Sequence, residues 1–204
     1  MLNRYARAFF GGLFTPIAKA LIGLGMTPNM VTVIGTIGVC LGALVFYPMG
    51  ELFWGTVFIT VFVFSDLVDG LMARISGKSS VLGGFLDSCL DRVQDGAVFL
   101  GLLIWFFTGG DHVWLGIASA FCLLAGNLVS YVRAKAEALG YTADVGIAER
   151  SERMVLTLVF TGFTGLGLHS SVLLVMLILL GIASVVTIVQ RFRTVIAQTA
   201  AATD

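Results

Sequence analysis

Charge is scarce in this chain. Of 204 residues only 12 are Lys or Arg and 12 are Asp or Glu, against 58% hydrophobic residues and a mean hydropathy of +1.00. That balance excludes a water-soluble globular domain and predicts an integral membrane protein. The charges cancel to a formal net of zero, and no nucleic-acid partner is expected. Proline is scarcer still: Pro16, Pro28 and Pro48 all fall outside the long apolar runs, so no predicted span carries a proline kink. Cys40, Cys89 and Cys122 stand singly, without CxxC spacing, and imply neither a disulfide nor a zinc site. The first 25 residues lack an uninterrupted apolar core followed by a small-residue cleavage site, so a cleaved signal peptide is not expected.

What the chain has in quantity is apolar length. Runs near 30–47, 52–73, 83–107, 113–135, 153–168 and 171–190 approach or exceed the roughly 20 residues that cross a bilayer. None alternates as a barrel strand would, so the expected fold is all-α, with six transmembrane helices in one membrane domain covering 1–204. Thr15-Pro16 and Thr27-Pro28 each set a capping hydroxyl before a proline at a first helical position. Residues 1–26 are expected to form a juxtamembrane amphipathic helix, with Arg4, Arg7 and Lys19 on one side and aromatics on the other.

The basic residues set the orientation. Arg4, Arg7, Lys19, Arg74, Lys78, Arg92, Arg133, Lys135, Arg150, Arg153, Arg191 and Arg193 all fall on one face of a six-span arrangement. The opposite loops, around Glu51, Asp111 with His112, and His169, carry no Lys or Arg. Positive loops stay inside, which predicts a multi-pass cell-membrane protein with both termini and the charged face in the cytoplasm.

Four acids interrupt the apolar pattern. Asp66 and Asp69 are three apart, Asp87 and Asp91 four apart, and each spacing places its pair on one helix face. The short connection Arg74 to Leu82 makes the two helices antiparallel neighbours, so the carboxylates are expected to converge. An Asp at the centre of a spanning helix costs about 2.5 to 3.5 kcal/mol, and four in proximity also repel one another. A divalent cation removes both penalties. Oxygen-only ligands suit Mg²⁺ or Mn²⁺, with two ions expected and positions left open for a substrate phosphate. Pairing with Arg74 and Arg92 would account for at most two of the four. Gly70, Gly83 and Gly84 leave space for a ligand or a close backbone, whereas Gly38 and Gly42 read as helix-contact residues. A cation transporter would instead place acids near the midplane, on broken helices repeated between two halves.

The spacing Asp66-x2-Asp69-Gly70-x2-Ala73-Arg74-x8-Gly83-x3-Asp87-x3-Asp91 resembles, at all eight positions, the signature of the CDP-alcohol phosphatidyltransferases. The resemblance implies six membrane helices, a polar cavity open to the cytoplasm, a homodimer among membrane lipids, and transfer of a phosphatidyl group from a CDP-lipid to an alcohol with release of CMP. It implies that Asp66, Asp69 and Asp87 are ligands of two divalent ions, with Asp91 near the second ion and acting as general base. By the same resemblance Gly70, Arg74 and Ser80 hold the CDP moiety, and Asn29, Met30, Val31 and Thr32 border the cytidine. Asp95, one turn beyond Asp91, lies outside the signature and reads as a supporting polar residue.

A second charged group bears on the acceptor. Arg133 and Lys135 end one run, Glu149 to Arg153 opens the next, and Arg191 and Arg193 end the last. Converging guanidinium and ammonium groups suit an acceptor that carries its own phosphate, although positive-inside loops hold such residues in any case. The stretches 130–137, 146–153 and 13–21 also resemble the actinobacterial phosphatidylinositol phosphate synthases, which implies CDP-diacylglycerol and 1D-myo-inositol 3-phosphate as substrates. On that resemblance Arg133, Lys135, Arg153 and Arg191 form the acceptor phosphate pocket, and Arg193 is a weaker candidate. Phosphatidylglycerophosphate synthase, with glycerol 3-phosphate, is the alternative inside the family.

Overall fold

A computed structural model describes residues 2–77 and 79–203, with side chains described for 13–77 and 79–201. The expected placements of the Arg4, Arg7 and Lys78 side chains lie outside these described residues. Among them the ordered elements are all helices, with no strand: α1 (Leu2–Gly23), α2 (Pro28–Leu41) continued by a π-helical turn (Gly42–Phe46), α3 (Leu52–Val63), α4 (Ser65–Ser76), α5 (Val81–Thr108), α6 (Val113–Ala138), α7 (Arg150–Gly165) and α8 (Ser170–Thr203).

Four segments of the described residues are long and apolar enough to cross a membrane: Pro28–Phe46, Leu52–Ser76, Val113–Ala138 and Ser170–Ala201. The other two expected spans correspond to α5 and α7. Asp87, Asp91, Arg92 and Asp95 all lie on α5, and α7 has 16 residues and opens on Arg150, Glu152 and Arg153.

The chain divides into two compact units. One runs up to Gly42 and includes Val57–Gln94; the other comprises Ala43–Thr56 and everything from Asp95 onward. In the first unit α4 packs against α1 and α2, burying Ala18, Val31, Val68 and Met72, with Phe14, Leu21 and Ile22 around them. In the second, α8 packs against α6 and α7.

Local chemistry explains two of the helix ends that frame the first unit. Thr27 caps α2 as expected: its backbone is extended and its hydroxyl accepts from the Met30 N–H at 3.3 Å, with Pro28 next in line. The other Thr-Pro pair does not open a helix. Pro16 lies inside α1, which begins well before it. A proline there loses one backbone hydrogen bond, and the face carrying Phe14, Ala18 and Leu21 is packed firmly enough to outweigh that loss. α4 stops at Gly77, whose φ of +65° is left-handed and whose N–H returns to Ala73 O, a conformation that favours glycine. Gly38 lies against the Phe62 ring and Gly42 against Ile59, the helix-contact role expected of them.

The last helix departs from expectation. Hydropathy places its end near residue 190, yet α8 continues to Thr203. Its polar extension is fastened to the segment joining α6 and α7. Gln198 accepts from the Thr142 N–H at 3.0 Å and donates to Thr142 O at 2.7 Å. About three turns earlier, Thr187 Oγ1 accepts from the N–H groups of Ile147 and Ala148.

Candidate active site

Within the first unit, α2, α4 and the start of α5 enclose a cavity of about 380 Å³. The i, i+3 spacing brings Asp66 and Asp69 to its wall from α4, and Asp87 reaches it from α5. Asn29 and Thr32 border it from α2, and Gly70, Ala73 and Arg74 continue the α4 wall. Ser80, Gly83 and Gly84 close the side at the N-terminus of α5. The two glycines keep that side thin: a methyl at Gly83 would stand 3.2 Å from Ser80 Oγ and 3.3 Å from Asn29 Oδ1, while Gly84 faces open space.

The side chains in this wall are tied down in distinct ways. Asp69 is 7% exposed and accepts a 2.6 Å hydrogen bond on Oδ2 from the Thr32 hydroxyl. Arg74 Nε donates to Gly70 O at 3.0 Å, which folds the guanidinium back along α4. Ser80 Oγ accepts from the Gly83 N–H at 3.0 Å and so caps α5, leaving its own proton available to donate.

Three of the four signature carboxylates thus line one cavity, and Asp91 does not. Four residues of helix raise it about 6 Å beyond Asp87, and its Oδ2 lies 3.6 Å from Arg92 Nη2. Among the described residues no three His, Cys, Asp or Glu side chains are gathered tightly enough to hold an ion as they stand. The expected convergence of four therefore reduces to three around a shared space. The donor chemistry still fits a hard cation: the acidic groups on this wall are all carboxylates, and neither His nor Cys lines it. Of the residues expected beside the cytidine, Asn29 and Thr32 reach the cavity; Met30 is half exposed, and Val31 is buried in the apolar core instead.

The acceptor candidates belong to the second unit and divide in two. Arg153 is 1% exposed; its Nη2 donates to Asp95 Oδ2 at 3.0 Å and its Nη1 to Ala148 O at 3.1 Å. Asp95 receives Arg150 Nε on its other oxygen at 3.2 Å, so the supporting role expected of Asp95 takes the form of a two-arginine clamp. Arg153 Nε is buried without a hydrogen-bond partner. Arg191 is also buried, donating to Val145 O at 2.9 Å and Val129 O at 2.6 Å. Arg133 and Lys135 are exposed, and Arg133 pairs with Glu137 at 2.9 Å. Arg191 is within electrostatic reach of Arg133, Arg153 and Glu149, so three of the four candidates act on one another.

Sequence reasoning missed Gly126, Thr36 and Gln94. A methyl at Gly126 would stand 3.0 Å from Arg153 Nε, so this glycine makes room for the guanidinium. Gln94 is a lone amide in an apolar run, and Thr36 lies one turn from Thr32; a buried polar group at helical spacing from a site residue is the signal that would have found both.

Comparisons with known proteins identify the family. The family description CDP-alcohol phosphatidyltransferase matches residues 25–189, and the chain belongs to that family. It is 52% identical over 201 residues to the phosphatidylinositol phosphate synthase of Streptomyces avermitilis, covering 96% of this chain and 82% of that one. The crystal structure of Mycobacterium tuberculosis phosphatidylinositol phosphate synthase with CDP-DAG bound superposes with a TM-score of 0.85 at 42% identity, over 89% of this chain and 92% of that one. A second structure of that enzyme, in complex with manganese and citrate, gives a TM-score of 0.83 at 41% identity, over 89% and 88% of the two chains.

Proposed function

We propose that this chain transfers the phosphatidyl group of CDP-diacylglycerol to 1D-myo-inositol 3-phosphate, giving phosphatidylinositol phosphate and CMP. The observation that carries the reading is the cavity that brings Asp66, Asp69, Asp87 and Arg74 together beside a glycine-cleared helix start. Asp66, Asp69 and Asp87 would hold Mg²⁺ or Mn²⁺, in two ions, with Asp91 near the second. Bound there, the cation supplies positive charge that offsets the diphosphate and the departing CMP. Arg74 and the Ser80 hydroxyl grip phosphate oxygens, Gly70 lets the CDP moiety approach α4, and Asn29 to Thr32 border the cytidine.

In the reaction the acceptor hydroxyl oxygen attacks the phosphatidyl phosphorus, the bond from that phosphorus to CMP breaks, and Asp91 takes the hydroxyl proton. Arg133, Lys135, Arg153 and Arg191 hold the acceptor's phosphate. The buried, unpartnered Nε of Arg153 supports this role, because such a donor carries a desolvation cost that a phosphate oxygen would remove.

The same reading makes the chain one membrane domain of six spans by including α5 and α7. At about 24 Å, α7 is shorter than the hydrocarbon core and requires local thinning or a contribution from its flanking residues. α1 lies along the cytoplasmic interface, both termini and the cavity face the cytoplasm, and the enzyme works as a homodimer.

Purified protein with Mn²⁺ and CDP-diacylglycerol is expected to release CMP with inositol 3-phosphate, and far less with free inositol, glycerol 3-phosphate or serine. Transfer to glycerol 3-phosphate with inositol 3-phosphate ignored would defeat the acceptor assignment. No CMP release with any of the four would defeat the transferase reading.

A further inference from the structure

Behind Asp69 two sets of buried hydrogen bonds meet at Thr32, one on its backbone carbonyl and one on its hydroxyl. Gln94 Nε2 donates to Thr36 Oγ1 at 3.0 Å, Thr36 Oγ1 donates to Thr32 O at 2.9 Å, and Thr32 Oγ1 donates to Asp69 Oδ2 at 2.6 Å. Their members come from α5, α2 and α4, and Gln94, Thr36 and Thr32 are 1%, 4% and 6% exposed. Thr32 has a single hydroxyl proton and a second acceptor in reach, Pro28 O at 3.1 Å. The shorter contact to a charged oxygen takes it, because charge-assisted hydrogen bonds are the stronger kind.

We propose that Thr32 is the positioning residue for Asp69, and that Thr36 and Gln94 hold Thr32 in place. With Oδ2 held by the Thr32 hydroxyl, the Asp69 carboxylate on the cavity wall has a fixed orientation toward a cation. That suits a small octahedral ion, which tolerates little error in ligand direction. Gln94 fixes Thr36 from α5, the helix that also supplies Asp87, so the orientation of one carboxylate is tied to the element bearing another. The inference rests on the metal-binding role proposed for Asp69, and the experiment separates the two.

Mn²⁺ affinity of the purified, metal-stripped protein is measured by electron paramagnetic resonance of the free ion, beside thermal unfolding in detergent without metal. Residues that orient metal ligands typically contribute 10- to 100-fold in metal affinity. Thr32→Val, which deletes the hydroxyl at constant shape, is therefore expected to weaken Mn²⁺ about tenfold or more. Thr32→Ser is expected to stay near the parent, Gln94→Leu to fall between them, and Asp69→Ala to lose the ion. Parent-like affinity in Thr32→Val together with loss in Asp69→Ala overturns the positioning role and leaves the metal reading intact. Parent-like affinity in both overturns the metal role of Asp69, and the inference with it. Should Thr32→Val not fold, Gln94→Leu decides: weakened Mn²⁺ with unchanged unfolding supports the inference, and unchanged Mn²⁺ overturns it.

Discussion

Asp91→Asn is expected to lower CMP release at saturating Mn²⁺ and inositol 3-phosphate by about three orders of magnitude. A positioned general base contributes on the order of 10² to 10⁴ in rate. The amide keeps the shape of the side chain and one oxygen but does not accept the hydroxyl proton. Asp91 lies outside the cavity wall, beside Arg92, so binding of the CDP-lipid and thermal unfolding should change little. Turnover near that of the parent, with CDP-lipid binding intact, would remove Asp91 from proton transfer and leave the three cavity carboxylates unaffected.

Arg153→Gln should act on two quantities at once. The acceptor KM is expected to rise about tenfold or more, since a charge-assisted hydrogen bond to phosphate contributes roughly 1.5 to 3 kcal/mol. Stability should fall as well, because removing one partner of a buried pair strands the other charge, at a cost of about 3 to 5 kcal/mol. Arg150 still engages the second Asp95 oxygen, which puts this case toward the lower end. The double variant Asp95→Asn with Arg153→Gln deletes the stranded charge. It is expected to recover much of the unfolding temperature while keeping the raised KM. If acceptor kinetics return together with stability, Arg153 serves only to neutralise Asp95 and has no direct bond to the acceptor.

The contrast between these residues shows which parts of the molecule hydropathy and spacing reveal. Asp66, Asp69 and Asp87 were legible because acids in an apolar run at i, i+3 and helical spacing permit few arrangements, and the cavity contains all three. The Thr27 cap was legible for a similar reason, being a wholly local contact. Pro16 was misread because the balance between a lost backbone bond and the packing of α1 is a tertiary quantity that no dipeptide carries. Arg153 and Arg191 were expected in an acceptor phosphate pocket, and the sequence did not reveal that one is clamped to Asp95 and the other to two carbonyls. These partners lie more than 40 residues away along the chain, a distance over which no periodicity speaks. Thr32 was expected beside the cytidine and lines the cavity, but the object of its hydroxyl was visible only once α4 stood beside α2.

The long final helix has a further consequence. Beyond the apolar run expected to end near residue 190, Arg191 and Gln198 still grip Val145 and Thr142. The residues past the last apolar run therefore act as a splint for the connector that leads into Arg150 and Arg153. A chain shortened at the hydropathy boundary would keep its apolar helices but lose that splint, and with it the fixed approach of the polypeptide to its buried arginine. The apolar run expected over 171–190 and the helix that carries it therefore end at different places.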